Sequence, residues 1–355
     1  MGTHGTRKAR IIVAGVLLLL VAVTVLTFAA CGGSNTTTSS SSSTTSPSAV
    51  STPAPTALPA PTVAGTIAFV KMYEDVYKGG TWVYNSDIYV VNTDGTGLKQ
   101  LTDDPLWEET PSWSPDGRRI AYSEVVLHTS DTSDVWVMNA DGSGKKNLTK
   151  GALNGGRPVW SPDGKQIAFG AAEDSGVLMY QMNADGSGVK PLGGELSSLD
   201  LNRDWAEYGG GLEWARDGRI LVCNAADDHG DVFAVDQDGS GLTQLTKGAW
   251  LGTFSLSPDG TRIALHDQAE RLYVASVQGT AGEPVTLLEQ TGFYVVDPRA
   301  RVSWSPDGAA MAFASDSMDL SAGSYLYVIN ADGSGFSRVP VPGIPSAFDP
   351  AWRPE

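Results

Sequence analysis

The sequence predicts an all-β fold: a six-bladed β-propeller of four-stranded antiparallel blades, closed by pairing the C-terminal strand with the first blade. Three observations predict it. A turn of the S-P-D-G type recurs at Trp113-Ser114-Pro115-Asp116-Gly117, Trp160-Ser161-Pro162-Asp163-Gly164, Trp214-Ala215-Arg216-Asp217-Gly218, Leu256-Ser257-Pro258-Asp259-Gly260 and Trp304-Ser305-Pro306-Asp307-Gly308, and breaks off at Trp352-Arg353-Pro354-Glu355. A second turn, N-x-D-G-[ST]-G or close to it, follows within each unit, as at Asn139-Ala140-Asp141-Gly142-Ser143-Gly144. The period between turn prolines is 47 from Pro115 to Pro162 and 48 from Pro258 to Pro306, the length of a four-stranded blade rather than of a helical or horseshoe solenoid.

Each unit supplies four strand-like segments. The first runs into the Trp or Leu of the S-P-D-G turn. The second is Thr66-Ile67-Ala68-Phe69 and its equivalents at Ile120, Ile167, Ile220, Ile263 and Met311. The third begins at Asp87, Asp134, Leu178, Asp231, Arg271 and Tyr325, and the fourth ends in pairs such as Leu101-Thr102 and Leu148-Thr149. Proline presets φ for the first turn position, aspartate caps the turn and glycine takes the positive φ that closes a bulged hairpin, so consecutive strands pair antiparallel. The first unit begins at Gly65 with a second-type strand, and the chain finishes at Pro350–Pro354 on a first-type strand. The two ends together make one blade, which removes an open sheet edge.

The pattern W-S-P-D-G-x-x-I-A-F, followed by I-Y-V-x-N-A-D-G-S-G-x-x-x-L-T, resembles the WD-type repeat of the TolB family of six-bladed propellers, over about residues 64–355. The resemblance implies the fold. It says little of function, because the matching residues are turn formers and inter-blade packing. TolB proper carries an extra N-terminal α/β domain, whereas this chain has a leader and a stalk in that place.

Residues 1–30 read as a lipoprotein signal peptide. Arg7, Lys8 and Arg10 precede an uncharged run from Ile11 to Phe28, and Ala29-Ala30-Cys31-Gly32 resembles a lipobox with Cys31 as the lipidated residue. An uncleaved signal anchor is the alternative, since the run approaches bilayer-spanning length. Residues 31–63 hold Cys31 and a Ser/Thr/Pro-rich linker that cannot bury apolar area and is expected to be disordered. Residues 64–355 are the propeller. The expected location is extracytoplasmic, on the outer side of the cytoplasmic membrane.

A net charge of −16 argues against a nucleic-acid partner. Only Cys223 remains beside Cys31, in the apolar run Ile220-Leu221-Val222-Cys223, and reads as a small buried hydrophobe. The chain contains no G-x-S-x-G elbow, which sets aside a serine hydrolase of the propeller-peptidase kind. No cofactor is expected. The D-G-S-G turns lack the flanking helices and twelfth-position glutamate of a calcium hand; no metal site is expected, and Asp227, Asp228 and His229 would be the best local ligand cluster if a metal were bound.

Function is therefore expected on the irregular loops opposite the S-P-D-G turns, at Lys71–Ser86, Asp103–Thr110, Gly193–Gly211 and Glu289–Arg301. There Trp107, Glu108, Glu109, Asp204, Trp205, Tyr208, Trp250 and Tyr294 form an aromatic and acidic rim suited to a cell-envelope protein, a peptide or a polysaccharide. The expected state is a monomeric, membrane-anchored binding or scaffold protein; the alternative is a lyase or lactonase acting on envelope carbohydrate.

Overall fold

The computed structural model describes residues 63–73, 76–78, 81–83, 85–126, 132–173, 176–199, 201, 211–226, 229–246, 253–266, 272–277, 285–286, 301–316, 323–344 and 346–355. Residues 1–62, which cover the expected signal peptide and all but the last residue of the expected linker, lie outside this set.

The described chain is an all-β propeller. Four separate sheets each hold four antiparallel strands. The first of them comprises Asn154–Trp160, Gln166–Glu173, Gly176–Asn183 and Lys190–Pro191, and the next Leu212–Trp214, Ile220–Ala226, His229–Val235 and Thr243–Gln244. Then come Phe254–Leu256, Arg262–His266, Leu272–Ser276 and Val285–Thr286, followed by Val302–Trp304, Ala310–Asp316, Ser324–Asn330 and Ser337–Arg338. The remaining sheet has eight strands in two halves. Its first half is Ala347–Trp352, Thr66–Met72, Ser86–Asn92 and Lys99–Gln100; its second is Trp107–Trp113, Arg119–Val126, Thr132–Asn139 and Lys146–Asn147. A single parallel bridge, Ser86 to Trp107, joins the halves. The insertion after Met72 carries a small hairpin of its own, Val76–Lys78 with Thr81–Val83.

The I-A-F motif explains how the sheets stack. Successive side chains in a strand point to opposite faces. Ile120 and Tyr122 pack with Ile88, Val90 and Leu101 of the preceding half-sheet, while Ala121 faces Trp160, Ile167 and Phe169 of the following sheet. Ile167 and Phe169 repeat the arrangement one step on, with Ala168 turned toward Leu212 and Ile220. Large residues thus face backward and the small one forward. With both faces covered, each such side chain contributes roughly 1.5–3 kcal/mol of burial.

The turns lock neighbours together. Ser114 Oγ donates to Asp116 Oδ1 at 2.6 Å, Gly117 N donates to Ser114 O at 2.8 Å, and Gly117 takes φ 62°. Trp160 Nε1 donates to Ser112 O of the preceding half-sheet at 3.1 Å, and Trp304 Nε1 to Ser255 O at 3.0 Å. Arg119 stacks over Trp160, its guanidinium 4.4 Å from the ring, and donates to Gly164 O; Arg262 does the same to Trp304 and Gly308. Arg353 performs this task on Trp113 and Gly117 from the truncated final turn. In the second series of turns, Asp94, Asp141, Asp185, Asp238 and Asp332 each accept the N–H and hydroxyl two residues on. Those carboxylates are committed to their own hairpins, as the turn reading requires. Cys223 is buried, and burial pushes its thiol up to about 12.

Candidate binding site

The first strands of all the sheets wall one cavity of about 580 Å³, within the range of ligand pockets. Trp107–Trp113, Asn154–Trp160, Leu212–Trp214, Phe254–Leu256, Val302–Trp304 and Ala347–Trp352 each have the next as neighbour, and the last also neighbours the first. Pro115, Pro162 and Pro354 of the S-P-D-G turns line one end of the cavity. These turns are therefore wall as well as scaffold.

One column of the repeat sits deeper. Five residues before the turn proline, or before Arg216, stand Thr110, Arg157, Gly211, Thr253, Arg301 and Asp349. Thr110, Arg157 and Asp349 adopt left-handed φ values of 52°, 57° and 45°. The register slips here, between Glu109 and Ser112 and between Gly156 and Val159, so the column marks a bulge. A non-glycine residue in this region costs about 1–3 kcal/mol, and surrounding bonds hold it. Thr110 N donates to Asp349 Oδ2 at 3.3 Å, Thr110 Oγ1 and Ser123 Oγ are 2.9 Å apart, and Arg157 N donates to Ser123 Oγ at 2.9 Å.

Two like charges meet in this column. Arg157 is 7 % exposed, and its NH1 is buried without a partner. Burial, followed by the charge of Arg157, pulls Arg301 below the ordinary guanidinium range, against the opposing pull of Asp349, Glu213 and Glu109. Glu213 lines the cavity and is pushed up to about 7 by burial, although its Oε2 accepts Leu256 N at 2.7 Å. Two guanidiniums whose charges act on each other, one buried and one half-buried, offer a receptor for a carboxylate or phosphate.

The predicted rim residues fall into two groups. Asp204, Trp205, Tyr208, Trp250, Tyr294, Asp227, Asp228 and Cys31 lie outside the described residues, and of His229 only the strand backbone is described. Trp107, Glu108 and Glu109 belong to a strand, Trp107–Trp113, and not to the loop expected over Asp103–Thr110. Trp107 and Glu109 are half-buried, with Trp107 Nε1 donating to Glu109 Oε2 at 3.3 Å, and Glu109 lines a cavity of about 120 Å³ that Arg157 also lines. Glu108 is a correction. It is fully buried and is no rim residue, because strand alternation turns it to the face packed on the first half-sheet, directly opposite Glu124. Sequence reasoning missed Arg157, Arg301 and Glu213. Reading the column five residues before each turn proline would have exposed the arginines as two basic residues at one repeat position.

A family model described as the TolB β-propeller domain matches residues 85–293. TolB from Acinetobacter baumannii superimposes with a TM-score of 0.63 at 21% identity, over 82% of this chain and 67% of that one. A putative TolB from Agrobacterium tumefaciens gives 0.54 at 16% identity, over 82% of this chain and 100% of its own. A chain of a nidogen/laminin complex gives 0.56 at 10% identity, over 81% of this chain and 98% of its own. At these identities the likeness is one of fold. No curated protein matches the sequence. Among the described residues no helix is long and apolar enough to cross a membrane.

Proposed function

The chain belongs to the TolB β-propeller domain family, and on that premise we propose an exported, membrane-anchored binding propeller that receives an acidic segment of a partner protein in its axial cavity. The observation that carries this reading is the Arg157–Arg301 pair: Arg301 lines the axial cavity, and Arg157, which lines the cavity of about 120 Å³, has its NH1 buried and unpartnered. A buried N–H without an acceptor costs about 1–3 kcal/mol, or more on a charged group, and a partner carboxylate beside the two guanidiniums would recover it through charge-assisted bonds.

The propeller in this reading has six blades, with the two halves of the eight-stranded sheet counted separately. Six first strands around one cavity support that count. Closure between the chain ends is supported by the antiparallel pairing of Ile67 with Trp352 and Ala68 with Ala351, and by packing of Ile67, Phe69 and Trp352 with Ala312, Leu326 and Val328. Lipidation at Cys31 and the linker through residue 63 would tether the propeller outside the cytoplasmic membrane. The segments holding Asp204, Trp205, Tyr208, Trp250 and Tyr294 lead directly into the strands that wall the cavity, and together with Trp107 and Glu109 would guide an incoming segment toward the arginines.

Fluorescence anisotropy with a labelled oligoglutamate and a neutral oligoglutamine of equal length tests the proposal. The acidic peptide should bind in a salt-sensitive manner despite a protein charge of −16, and R157M/R301M should weaken it by tenfold or more. Equal affinity for the neutral peptide, or no loss in the variant, refutes the reading.

A further inference from the structure

Between the first and second half-sheets, buried oxygen atoms collect without donors. Asp104, Glu108 and Glu124 bring one oxygen each within 4.8 Å of one another. Both carboxylate oxygens of Glu108 and the Oδ1 atoms of Asp104 and Asp87 are buried and have no partner. Glu108 and Glu124 stand directly opposite in paired strands, an arrangement of like charges that destabilises a sheet. Among the described residues, Lys145 forms an ion pair with this cluster, reaching Asp104 at 3.5 Å, so three carboxylates face one paired ammonium.

A second, independent group is aimed at the same place. Tyr122 is fully buried, its hydroxyl has no partner, and it stands two residues before Glu124 in the same strand, on the same face. A buried tyrosine ordinarily finds a hydrogen-bond partner.

We propose that this inter-sheet cluster is a binding site for a calcium ion, with Asp104, Glu108 and Glu124 as ligands and the Tyr122 hydroxyl beside them. The donors are all oxygen, which selects a hard cation over a transition metal. Calcium accepts carboxylates in one- or two-oxygen modes at roughly 2.3–2.6 Å, so ligand oxygens up to about 5 Å apart can share one ion, as 4.8 Å allows. Magnesium prefers to retain several waters and suits a site built from three converging carboxylates less well. The site joins the first half-sheet to the second, where the ladder supplies one bridge, and a bound ion would brace that joint. It shares no residue with the Arg157–Arg301 pair and stands or falls independently of it.

Terbium, a calcium mimic, reads the site directly, because Tyr122 stacks on Trp136 at 6.4 Å and the pair can sensitise its emission. With full-length protein stripped by chelator, terbium should give saturable sensitised emission that calcium displaces. Calcium at about 100 times its Kd should raise Tm by about 3 °C or more. E108Q/E124Q should fold, since it removes facing charges, and should lose both responses; Tyr122→Phe should weaken calcium by about tenfold. D94N/D141N, in exposed turns, should behave as wild type. Absence of both responses in the wild type, which would leave a proton-sharing cluster, overturns the proposal, and so does an undiminished response in E108Q/E124Q.

Discussion

Two successive inter-sheet gaps are built on one template and filled with opposite chemistry. At a shift of 47 residues, Asp87, Asp104, Glu108, Tyr122 and Glu124 correspond to Asp134, Gly151, Gly155, Phe169 and Ala171. In the gap between the second half-sheet and the Asn154–Pro191 sheet, the carboxylates are satisfied, with Glu173 accepting from the Tyr180 hydroxyl at 2.9 Å. Asp134 accepts from Thr149 Oγ1, Gly151 N and Asn147 Nδ2, and Phe169 stacks on Tyr180 at 5.7 Å without a polar atom. In the preceding gap, Asp87 accepts from Tyr73 and Gln100 through Oδ2, while its Oδ1 is left over. The apolar parts of the two gaps match, since Ile120 and Ile167 are both fully buried. A repeat specifies backbone and packing, and individual side chains can then change the chemistry of one gap without disturbing the next.

Deletion of residues 349–355 has the largest expected effect on this comparison. It removes most of the edge strand that pairs with Ile67 and Ala68, so the first gap should be lost with the whole domain, seen as aggregation or the absence of a cooperative melt. A wild-type melting curve would show that the first half-sheet needs no such strand. Moving the acidic pair one gap along, as G155E/A171E, should cost more than about 4 kcal/mol in denaturant unfolding, because it buries two charges in an apolar gap. Any Cβ at Gly155 would also lie 2.9 Å from the Phe169 ring. Phe169→Ala should cost about 3–5 kcal/mol as a cavity, whereas Tyr122→Phe in chelated protein should be neutral or stabilising by up to about 1–3 kcal/mol, since it removes an unsatisfied hydroxyl.

Glu213 sharpens the contrast with the smallest effect, because it is a half-buried carboxylate that has a backbone donor. Its folded value is about 7 against an ordinary 4.5, so between these values the folded state holds more protons than the unfolded one. Its contribution to stability is present below about 4.5 and is lost as pH rises to about 7. Tm measured across that window should fall less steeply in Glu213→Gln than in the wild type; parallel profiles would place its titration elsewhere.

Much of this protein is legible along the chain. Pro115, Asp116 and Gly117 with their repeats, and Ile120-Ala121-Tyr122 with theirs, act over a few residues through turn geometry and strand alternation. The strand order within each four-stranded sheet follows from them. The sites are less legible. Glu108 reads as a loop acid beside Asp103 and Asp104 until the strand from Trp107 to Trp113 turns it inward. Arg157 and Arg301 are 144 residues apart and look like ordinary surface arginines in isolation.

By itself, then, the amino-acid order determined a propeller built from repeated hairpins, since φ preferences and alternating burial are local properties. Only the tertiary structure decided which charges lose water and which neighbours they meet. Desolvation and Coulombic interaction depend on distances across the ring and between sheets, which bring Arg157 toward Arg301 and Glu108 against Asp104 and Glu124.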